Sequence, residues 1–343
     1  MTVEIAPFVR TVLGDVEPRE LGAVNYHEHL FQTTPLLPGD ELDDEGLSRA
    51  ETESMRSAGI ASIVDATPWG LGRDPAAVAR ISHATGVQVV ATTGFHREAH
   101  YPGRDEVHSL SADAIAAQCL HELTVGQPQA DGRPSDGGPT AVAPSGSPVR
   151  AGLLKAGIGY WSITAFELRV LEGVAAAHRA TGAPIMIHLE HGTGAHEVLD
   201  ILATEGVAAD SVVLAHVDRS PDPVLYAELA SRGAYLGCDG AARLKDWPES
   251  ILISAIADAC EAGFGARILL GGDVARRSRY LAYGGIPGLA YLTARFAPRL
   301  ASRVGDAAVR AFLTDNPQRL LAWAGSSGGA EDSRSAGPSG GRT

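Results

Sequence analysis

The sequence of 343 residues is short of three things: cysteine, long apolar runs and positive charge. Its three cysteines, Cys119, Cys238 and Cys260, share no close spacing, which indicates free thiols in a reducing compartment and not a disulfide framework. No run of about 18 apolar residues occurs, so we expect no membrane span. The first ten residues lack the apolar stretch of a signal peptide. These absences together predict a cytoplasmic protein.

The charge balance limits the partners. The formal net charge is −13, whereas a broad surface for nucleic acid or anionic membranes needs an excess of positive charge. We therefore expect neither partner. A small anionic substrate bound by a few local arginines remains compatible with this composition.

Two stretches differ from the rest in composition. Residues 126–149 and 326–343 are dense in Gly, Pro and Ser and have no hydrophobic period. Such segments bury too little apolar surface to offset the entropy lost on ordering. We therefore predict one domain over residues 1–325, with a flexible, disordered insertion at 126–149 and a disordered tail at 326–343.

Short apolar runs alternate with stretches rich in Ala, Leu and Glu. Eight of these runs have strand character: 22–26, 61–66, 87–94, 152–157, 183–187, 211–215, 234–238 and 266–271. Eight strand–helix units predict an α/β fold with parallel strands that close into a (β/α)8 TIM barrel. A doubly wound open sheet is the rival, but its first strand is usually followed by a Gly-rich phosphate loop. Here the first strand ends in Tyr-His-Glu-His.

Metal-binding side chains recur where the predicted strands end. The set is His27 and His29 after the first strand, His188 after the fifth, His216 after the sixth and Asp273 after the eighth. Barrel active sites are built at the C-terminal ends of the strands, so these side chains should converge. Imidazole suits zinc, iron, cobalt or nickel, and a carboxylate adds an oxygen ligand. The pattern predicts a metal centre.

Lys155 lies in an apolar run near the end of the fourth predicted strand. A charged lysine is costly to bury. Two interpretations stay open on the residues alone. The amine either reaches a polar partner or solvent, or is carbamylated by carbon dioxide and becomes an anionic metal ligand.

Several segments, in order and in spacing, resemble the phosphotriesterase family of the amidohydrolase superfamily. They are Thr11–Gly14, His27–Leu30, Ile63–Thr67, Ala91–Phe95, Ala151–Lys155, Ile187–His188, Leu214–His216 and Gly272–Asp273. The resemblance covers nearly the whole chain apart from the insertion. It implies a (β/α)8 barrel with two divalent metals, most often zinc, with manganese, cobalt or iron as alternatives. It also implies a homodimer.

The family pattern assigns roles to six residues of this chain. By resemblance, His27, His29 and Asp273 hold the more buried metal, His188 and His216 hold the more exposed one, and carbamylated Lys155 bridges them together with a hydroxide. Two cations would bring the pKa of that shared water to near 7. Asp273 is the expected catalytic group that takes the proton of the hydroxide.

Basic residues near the predicted site bear on the substrate. Arg276 and Arg277 lie on the loop after the eighth strand, and Lys245 follows the seventh. Guanidinium groups suit phosphate or carboxylate, so we predict that these residues bind an anion, with Arg276 and Lys245 foremost. The alternative is that the arginines solvate a surface helix. The Ala-Arg-Arg-Ser stretch resembles the branch of the family that opens phosphorylated sugar lactones.

The loop after the third strand departs from one branch of the family. Lactonases for acyl-homoserine substrates commonly carry a tyrosine there, whereas this chain has Phe95-His96-Arg97. His96 is a candidate substrate contact, with a solvated loop position as the alternative.

The sequence thus favours a dinuclear metal-dependent hydrolase that opens a lactone or cleaves an ester, with an anionic, phosphorylated sugar lactone as the expected substrate. Organophosphate triesterase and acyl-homoserine lactonase activities remain alternatives, as does hydrolysis of an amide or cyclic imide. A barrel that binds a ligand without turnover is the alternative of another class.

Overall fold

The computed structural model describes residues 6–131, 138–243 and 245–323. An antiparallel hairpin, β1 (Val9–Thr11) and β2 (Gly14–Val16), precedes eight parallel strands that neighbour one another in chain order. These strands are β3 (Val24–Glu28), β4 (Ser62–Asp65), β5 (Gln88–Gly94), β6 (Leu153–Ile158), β7 (Ile185–Leu189), β8 (Val212–Ala215), β9 (Tyr235–Cys238) and β10 (Ile268–Leu270).

Helices follow the strands and surround them. They are α1 (Glu45–Ser57), α2 (Pro75–Thr85), α3 (Asp105–His108), α4 (Ala112–Thr124), α5 (Ala165–Thr181), α6 (Ala195–Thr204), α7 (Pro223–Ser231), α8 (Glu249–Glu261), α9 (Ala297–Val304), α10 (Asp306–Leu313) and α11 (Asp315–Leu321). Among the described residues, none of these helices is both long and apolar enough to cross a membrane.

The strands alternate between two apolar cores. Inside the barrel, one cluster joins a side chain from each strand: Val24, Val64, Val90, Leu153, Met186, Val213, Tyr235 and Leu269. The other face of each strand packs against the helices. Because side chains two apart on a strand share a face, Lys155 and His188 point inward one step beyond Leu153 and Met186.

The ring of strands closes between β3 and the loop after β10. The backbone N–H of Asp273 donates to the carbonyl oxygen of His27 at 2.9 Å. The N–H of Gly272 donates to Oδ1 of Asn25 at 3.1 Å. These bonds join the first barrel strand, β3, to the loop after the last, β10, and the predicted barrel is confirmed.

All eight predicted barrel strands are present with ends shifted by a few residues. The hairpin β1–β2 was not anticipated. Its strands have three residues each, too short for a period to show. The hairpin packs on the barrel, where the N–H of Val12 donates to the carbonyl oxygen of Val89 at 2.9 Å.

The described parts of the predicted insertion, 126–131 and 138–149, carry backbone hydrogen bonds, and the flexibility of this segment stays a prediction. Ala141 and Val149 are buried, and the N–H of Val149 donates to the carbonyl oxygen of Ala141 at 2.8 Å. The N–H of Gln127 donates to the carbonyl oxygen of Val149 at 2.8 Å. Such backbone pairing needs no hydrophobic period, which is why composition missed it. Residues 132–137 and the predicted tail at 326–343 lie outside the described residues.

Candidate metal centre

The predicted ligands do converge at the C-terminal end of the barrel. His27, His29, His188, His216 and Asp273 line one cavity of about 140 Å³. The pairing register of β3 shifts between Asn25 and Glu28. This irregularity lets two consecutive side chains, Tyr26 and His27, both reach the carboxylate of Asp239.

Each of the four imidazoles is bonded through one ring nitrogen to a protein oxygen. The pairs are His27 Nδ1 with Asp239 Oδ2 at 3.0 Å, His216 Nδ1 with Asp239 Oδ1 at 2.6 Å, His29 Nδ1 with Thr67 Oγ1 at 2.8 Å, and His188 Nε2 with Glu190 Oε2 at 2.9 Å. A carboxylate only accepts, so the ring nitrogen facing it carries the proton. The opposite nitrogen of those rings then keeps its lone pair.

The opposite nitrogens point towards the cavity. Nε2 of His27 and Nε2 of His29 lie 3.9 Å and 3.6 Å from Oδ1 of Asp273. Nε2 of His216 lies 2.8 Å from Nδ1 of His188, so two unprotonated nitrogens face each other. A cation suits both places, because it accepts lone pairs from donors that cannot bond to one another.

His27, His29 and Asp273 form a buried group whose ligand atoms lie within 4.8 Å of one another, and so do His27, His216 and Asp239. We favour the first group as a metal site, because Asp239 is already occupied by the Nδ1–H groups of His27 and His216. The residues present therefore fit two divalent cations.

Burial keeps the imidazoles of His27, His188 and His216 neutral. It lowers the pKa of His27 to about 3, with the nearby Lys155 adding to the effect. Burial also holds the pKa of His188 well below its usual range, with His96 contributing, and lowers that of His216, with Arg219 contributing. Neutral imidazole is the form that binds a metal.

Asp273 is held by two arginines. Nη2 of Arg219 donates to Oδ2 of Asp273 at 2.8 Å, and Arg243 donates to the same oxygen and to the backbone carbonyl of Asp273. Burial raises the pKa of the Asp273 carboxyl, but Arg243 and His27 outweigh this and hold the pKa well below its usual range. The group is a carboxylate at neutral pH.

Lys155 is fully buried, and its Nζ donates to Sδ of Met186 at 3.0 Å. A thioether is a weak acceptor. Burial lowers the pKa of the Lys155 amine to about 8, although Asp273 and Asp239 oppose the shift. A larger share of this amine is therefore neutral at pH 7 than for an exposed lysine.

Backbone strain is concentrated around the site. His216 has φ of 68°, His191 of 53° and Asp273 of 40°, all in the left-handed region that non-glycine residues rarely adopt. Such residues cluster at functional sites because the surrounding structure must hold them.

His96 also reaches the cavity. Its ring stacks on His100 with centroids 3.7 Å apart and lies 4.4 Å from the ring of His188. Burial lowers the pKa of His96 well below its usual range, with His100 contributing. His96 is thus a neutral polar wall of the cavity.

A second cavity of about 220 Å³ adjoins the first and is net basic, because its five arginine and lysine residues outnumber its three acidic residues. The two share Glu190, Arg219, Arg243 and Arg276. The predicted anion-binding residues Arg276 and Lys245 both line the second cavity, together with Arg279.

Arg277 is not brought to either cavity. Its Nη1 lies 3.6 Å from Oδ1 of Asp43, and its guanidinium stacks over the ring of Tyr283 at 5.2 Å. Sequence reasoning placed it with Arg276 because both follow Asp273. The short helical turn Arg277–Arg279 sends the neighbouring side chains in different directions.

Arg219 and Arg243 were missed at the sequence level. Each follows a strand end by a few residues, Arg219 after β8 and Arg243 after β9. Their loop positions were the available signal, but an arginine on a loop is common on any surface. The contact with Asp273 is what distinguishes them.

A (β/α)8 barrel with four buried imidazoles and a fixed carboxylate around its catalytic end belongs to the class of barrel hydrolases. Residues 7–321 match the model of the phosphotriesterase family, and the chain belongs to that family. It is accordingly a hydrolase that acts on ester bonds.

Relatives and solved structures agree with this assignment. A phospho-furanose lactonase from Mycoplasmopsis synoviae is 31% identical over 334 residues, covering 92% of each chain. A lactonase from Listeria monocytogenes has a TM-score of 0.83 at 32% identity and covers 92% of this chain and 99% of its own. An amidohydrolase from Mycoplasma synoviae has a TM-score of 0.85 at 30% identity, with 93% and 92% covered.

Proposed function

We propose that this protein is a metal-dependent lactonase whose substrate is a small phosphorylated sugar lactone. The observation that carries the proposal is the junction of the histidine-lined cavity with the basic cavity, which share Arg219, Arg243 and Arg276. The relatives named as a phospho-furanose lactonase and a lactonase support it.

In this proposal His27, His29 and Asp273 hold one divalent cation, zinc by expectation, and His188 and His216 hold the other. Lys155, if carbamylated through its neutral amine, would supply a further anionic ligand. When bound, the two cations lower the pKa of water and polarise the carbonyl oxygen of the substrate. The protein oxygens behind the four rings fix the direction of each ring nitrogen.

Asp273 is the group that handles the proton. Its Oδ2 is engaged by Arg219, and its Oδ1 faces His27 and His29. As water attacks the lactone carbonyl, this carboxylate takes the proton. It returns the proton to the ring oxygen when the C–O bond breaks, which gives the hydroxy acid. The low pKa favours a rapid return of the proton.

The basic cavity is built to take an anion. Among the described lining residues of this cavity, three buried guanidinium N–H groups have no hydrogen-bond partner: Nε of Arg219, Nε of Arg276 and Nη1 of Arg279. Burial and the neighbouring Asp239 raise the pKa of Asp218 to about 7, which reduces the negative charge of the cavity wall. A phosphate would satisfy several orphaned donors at once.

The size and polarity of the two cavities select against a long acyl chain. Neither cavity exceeds about 220 Å³, and charged or imidazole groups dominate their walls. A five- or six-carbon lactone with a terminal phosphate spans them, with the ring at the histidines and the phosphate at Arg276. A homodimer and a cytoplasmic location stay predictions.

The test compares one sugar lactone with and without its phosphate on the zinc-loaded enzyme. We expect kcat/KM to be higher for the phosphorylated lactone. Arg276→Met should raise KM for it by about 10-fold or more, and leave the unphosphorylated lactone unchanged, because the lost guanidinium contacts phosphate.

Arg277→Met is the matched control, on the same loop but outside both cavities, and should keep the wild-type KM. Removal of metal with a chelator should abolish turnover, and zinc should restore it. Equal kcat/KM for the two lactones would refute the anionic substrate, and turnover of a metal-stripped enzyme would refute the metals. Preference for an N-acyl amide would place the chain among amide hydrolases.

A further inference from the structure

The histidine-lined cavity and the basic cavity meet at four side chains. Among the described residues, those that line both cavities are Glu190, Arg219, Arg243 and Arg276. An arginine side chain can only donate hydrogen bonds. Glu190 is therefore the one side chain of this shared set that can accept a hydrogen bond from a substrate extending from one cavity into the other.

The protein itself uses one carboxylate oxygen of Glu190. Oε2 accepts from Nε2 of His188 at 2.9 Å, and Nε of Arg97 lies 3.1 Å from the same oxygen. The backbone of Glu190 is held as well, because its carbonyl oxygen accepts from the N–H of Thr193 at 3.2 Å and from Oγ1 of Thr193 at 2.8 Å. A carboxylate held in this way loses little conformational freedom when a ligand binds.

The other oxygen, Oε1, has no hydrogen-bond partner among the described residues. Nε2 of His191 lies 3.7 Å from it, which is beyond hydrogen-bond distance. Oε1 is not one of the buried atoms that lack a partner, and the Glu190 side chain is 19% exposed, so a ligand can reach it. This oxygen is an available acceptor.

The neighbours of the two oxygens show how the carboxylate lies. His188 and Arg97, beside Oε2, line the histidine-lined cavity, whereas His191, beside Oε1, lines the basic cavity. The carboxylate therefore extends across the junction, with Oε1 on the side of the basic cavity.

The charges at the junction favour a hydroxyl group as the partner of Oε1. The carboxylate repels an anionic group, and the three arginines repel a cationic one. A hydroxyl group donates a hydrogen bond without carrying charge, and its lone pairs can still accept from a guanidinium. In the proposed substrate, the carbons between the lactone carbonyl and the phosphate carry such hydroxyl groups.

We infer that Glu190 is a specificity-determining residue whose Oε1 accepts a hydrogen bond from a ring hydroxyl of the sugar lactone. The inference rests on the proposed function, which puts the lactone carbonyl at the histidines and the phosphate at Arg276. Glu190 then selects hydroxylated lactones over deoxygenated ones. Neither the proposed metals nor the phosphate-binding arginines supply that selection.

The test compares two phosphorylated γ-lactones on the zinc-loaded full chain. One is the pentonic acid lactone that wild type opens fastest, and the other is its dideoxy analogue, which lacks both ring hydroxyls. We expect kcat/KM of wild type to be about 10-fold or more higher for the hydroxylated lactone, because the hydrogen bond to the carboxylate is lost with the hydroxyl.

Glu190→Gln keeps an oxygen for the N–H of His188 and replaces the available acceptor with an amide N–H group. It should lower kcat/KM for the hydroxylated lactone by about 3- to 10-fold and leave the dideoxy lactone within about 2-fold of wild type. A role confined to orienting His188 would lower both values equally.

Binding of cyclic ether phosphates gives a second readout, because these compounds have no carbonyl to hydrolyse. Calorimetry should show that Glu190→Gln raises Kd about 3- to 10-fold for the anhydropentitol phosphate with the same two ring hydroxyls. Tetrahydrofurfuryl phosphate, which has no ring hydroxyl, should bind the variant and wild type equally.

Glu197→Gln is the matched control, because Glu197 is exposed on α6 and lines neither cavity. It should keep the wild-type values for every compound. Equal losses for the two lactones in Glu190→Gln, or no loss for either, would overturn the inference and leave the proposed function standing. Turnover of neither lactone by wild type would refute the proposed function and this inference together.

Discussion

One carboxylate, Asp239, orients half of the imidazoles of the metal centre. Its two oxygens accept from Nδ1 of His27 and Nδ1 of His216, and the hydroxyl of Tyr26 also donates to it. Burial raises its pKa, but His216 and His27 outweigh burial and keep the group ionised. Asp239 therefore orients one ligand of each proposed metal, His27 and His216, without being a ligand itself.

Asp239→Asn should lower zinc affinity by about 10- to 100-fold, because an amide has one oxygen and cannot accept from both rings. One imidazole is then free to turn or to change tautomer. The measurement is zinc content after dialysis against a graded series of chelator concentrations. Asp210→Asn is the control, because Asp210 is exposed and lies just before β8, at the end of the strand away from the site. Wild-type zinc retention in Asp239→Asn would show that ring orientation does not depend on this carboxylate.

At the scale of elements, the sequence predicts the strands better than what joins them. Each barrel strand is a run of inward and outward apolar residues, so its existence follows from local pattern. The shift in β3 and the pairing of residues 126–131 with 138–149 depend on contacts between distant segments, and no local pattern encodes them. Likewise His27 and Asp273 were found because they end strands, while Arg219 and Arg243 required the three-dimensional contact with Asp273.

The hairpin β1–β2 is fitted to the barrel at one glycine. A Cβ on Gly152, just before β6, would collide with the backbone carbonyl oxygen of Arg10 and would lie 2.9 Å from Cγ1 of Val90. Gly152→Ala should lower the free energy of unfolding by about 1–3 kcal/mol, since backbone must move to admit the methyl group.

Urea unfolding followed by circular dichroism measures this effect. Gly138→Ala is the matched substitution, because a Cβ there meets nothing within 4 Å. It should leave stability within about 0.5 kcal/mol of wild type. Equal stability of the two variants would mean that the close contact between Gly152 and the backbone of Arg10 does not limit the size of the side chain at position 152.

For the whole molecule, one buried acid couples stability to pH. Glu28 accepts from Nδ2 of Asn25 and from the N–H of Val274, each at 3.1 Å, across the seam of the barrel. Burial, together with Asp273, raises the pKa of Glu28 from 4.5 to about 8. The folded protein therefore favours the neutral form. This contribution is complete below about pH 4.5 and is lost as pH rises towards 8.

Glu28→Gln should remove that dependence from the metal-free protein. Between pH 5 and 8, the unfolding free energy of wild type should fall relative to the variant, by about 1.4 kcal/mol per unit of pKa difference. The comparison is a series of urea unfolding curves for both proteins across this range. Parallel curves would mean that Glu28 titrates near its ordinary value in the folded chain.

The seam between β3 and the loop after β10 has a consequence for how the protein acquires activity. The proposed ligands His27 and Asp273 meet there, and Asp273 is held by the carbonyl oxygen of His27, 246 residues earlier in the chain. Contacts of such sequence separation form late, because the intervening chain must be ordered first. During synthesis, β3 is made long before β10, so the site is complete only after β10 and the loop that follows it have been synthesised. A nascent or truncated chain that ends before β10 is then a folding intermediate without catalytic power, and turnover reports that the barrel has closed.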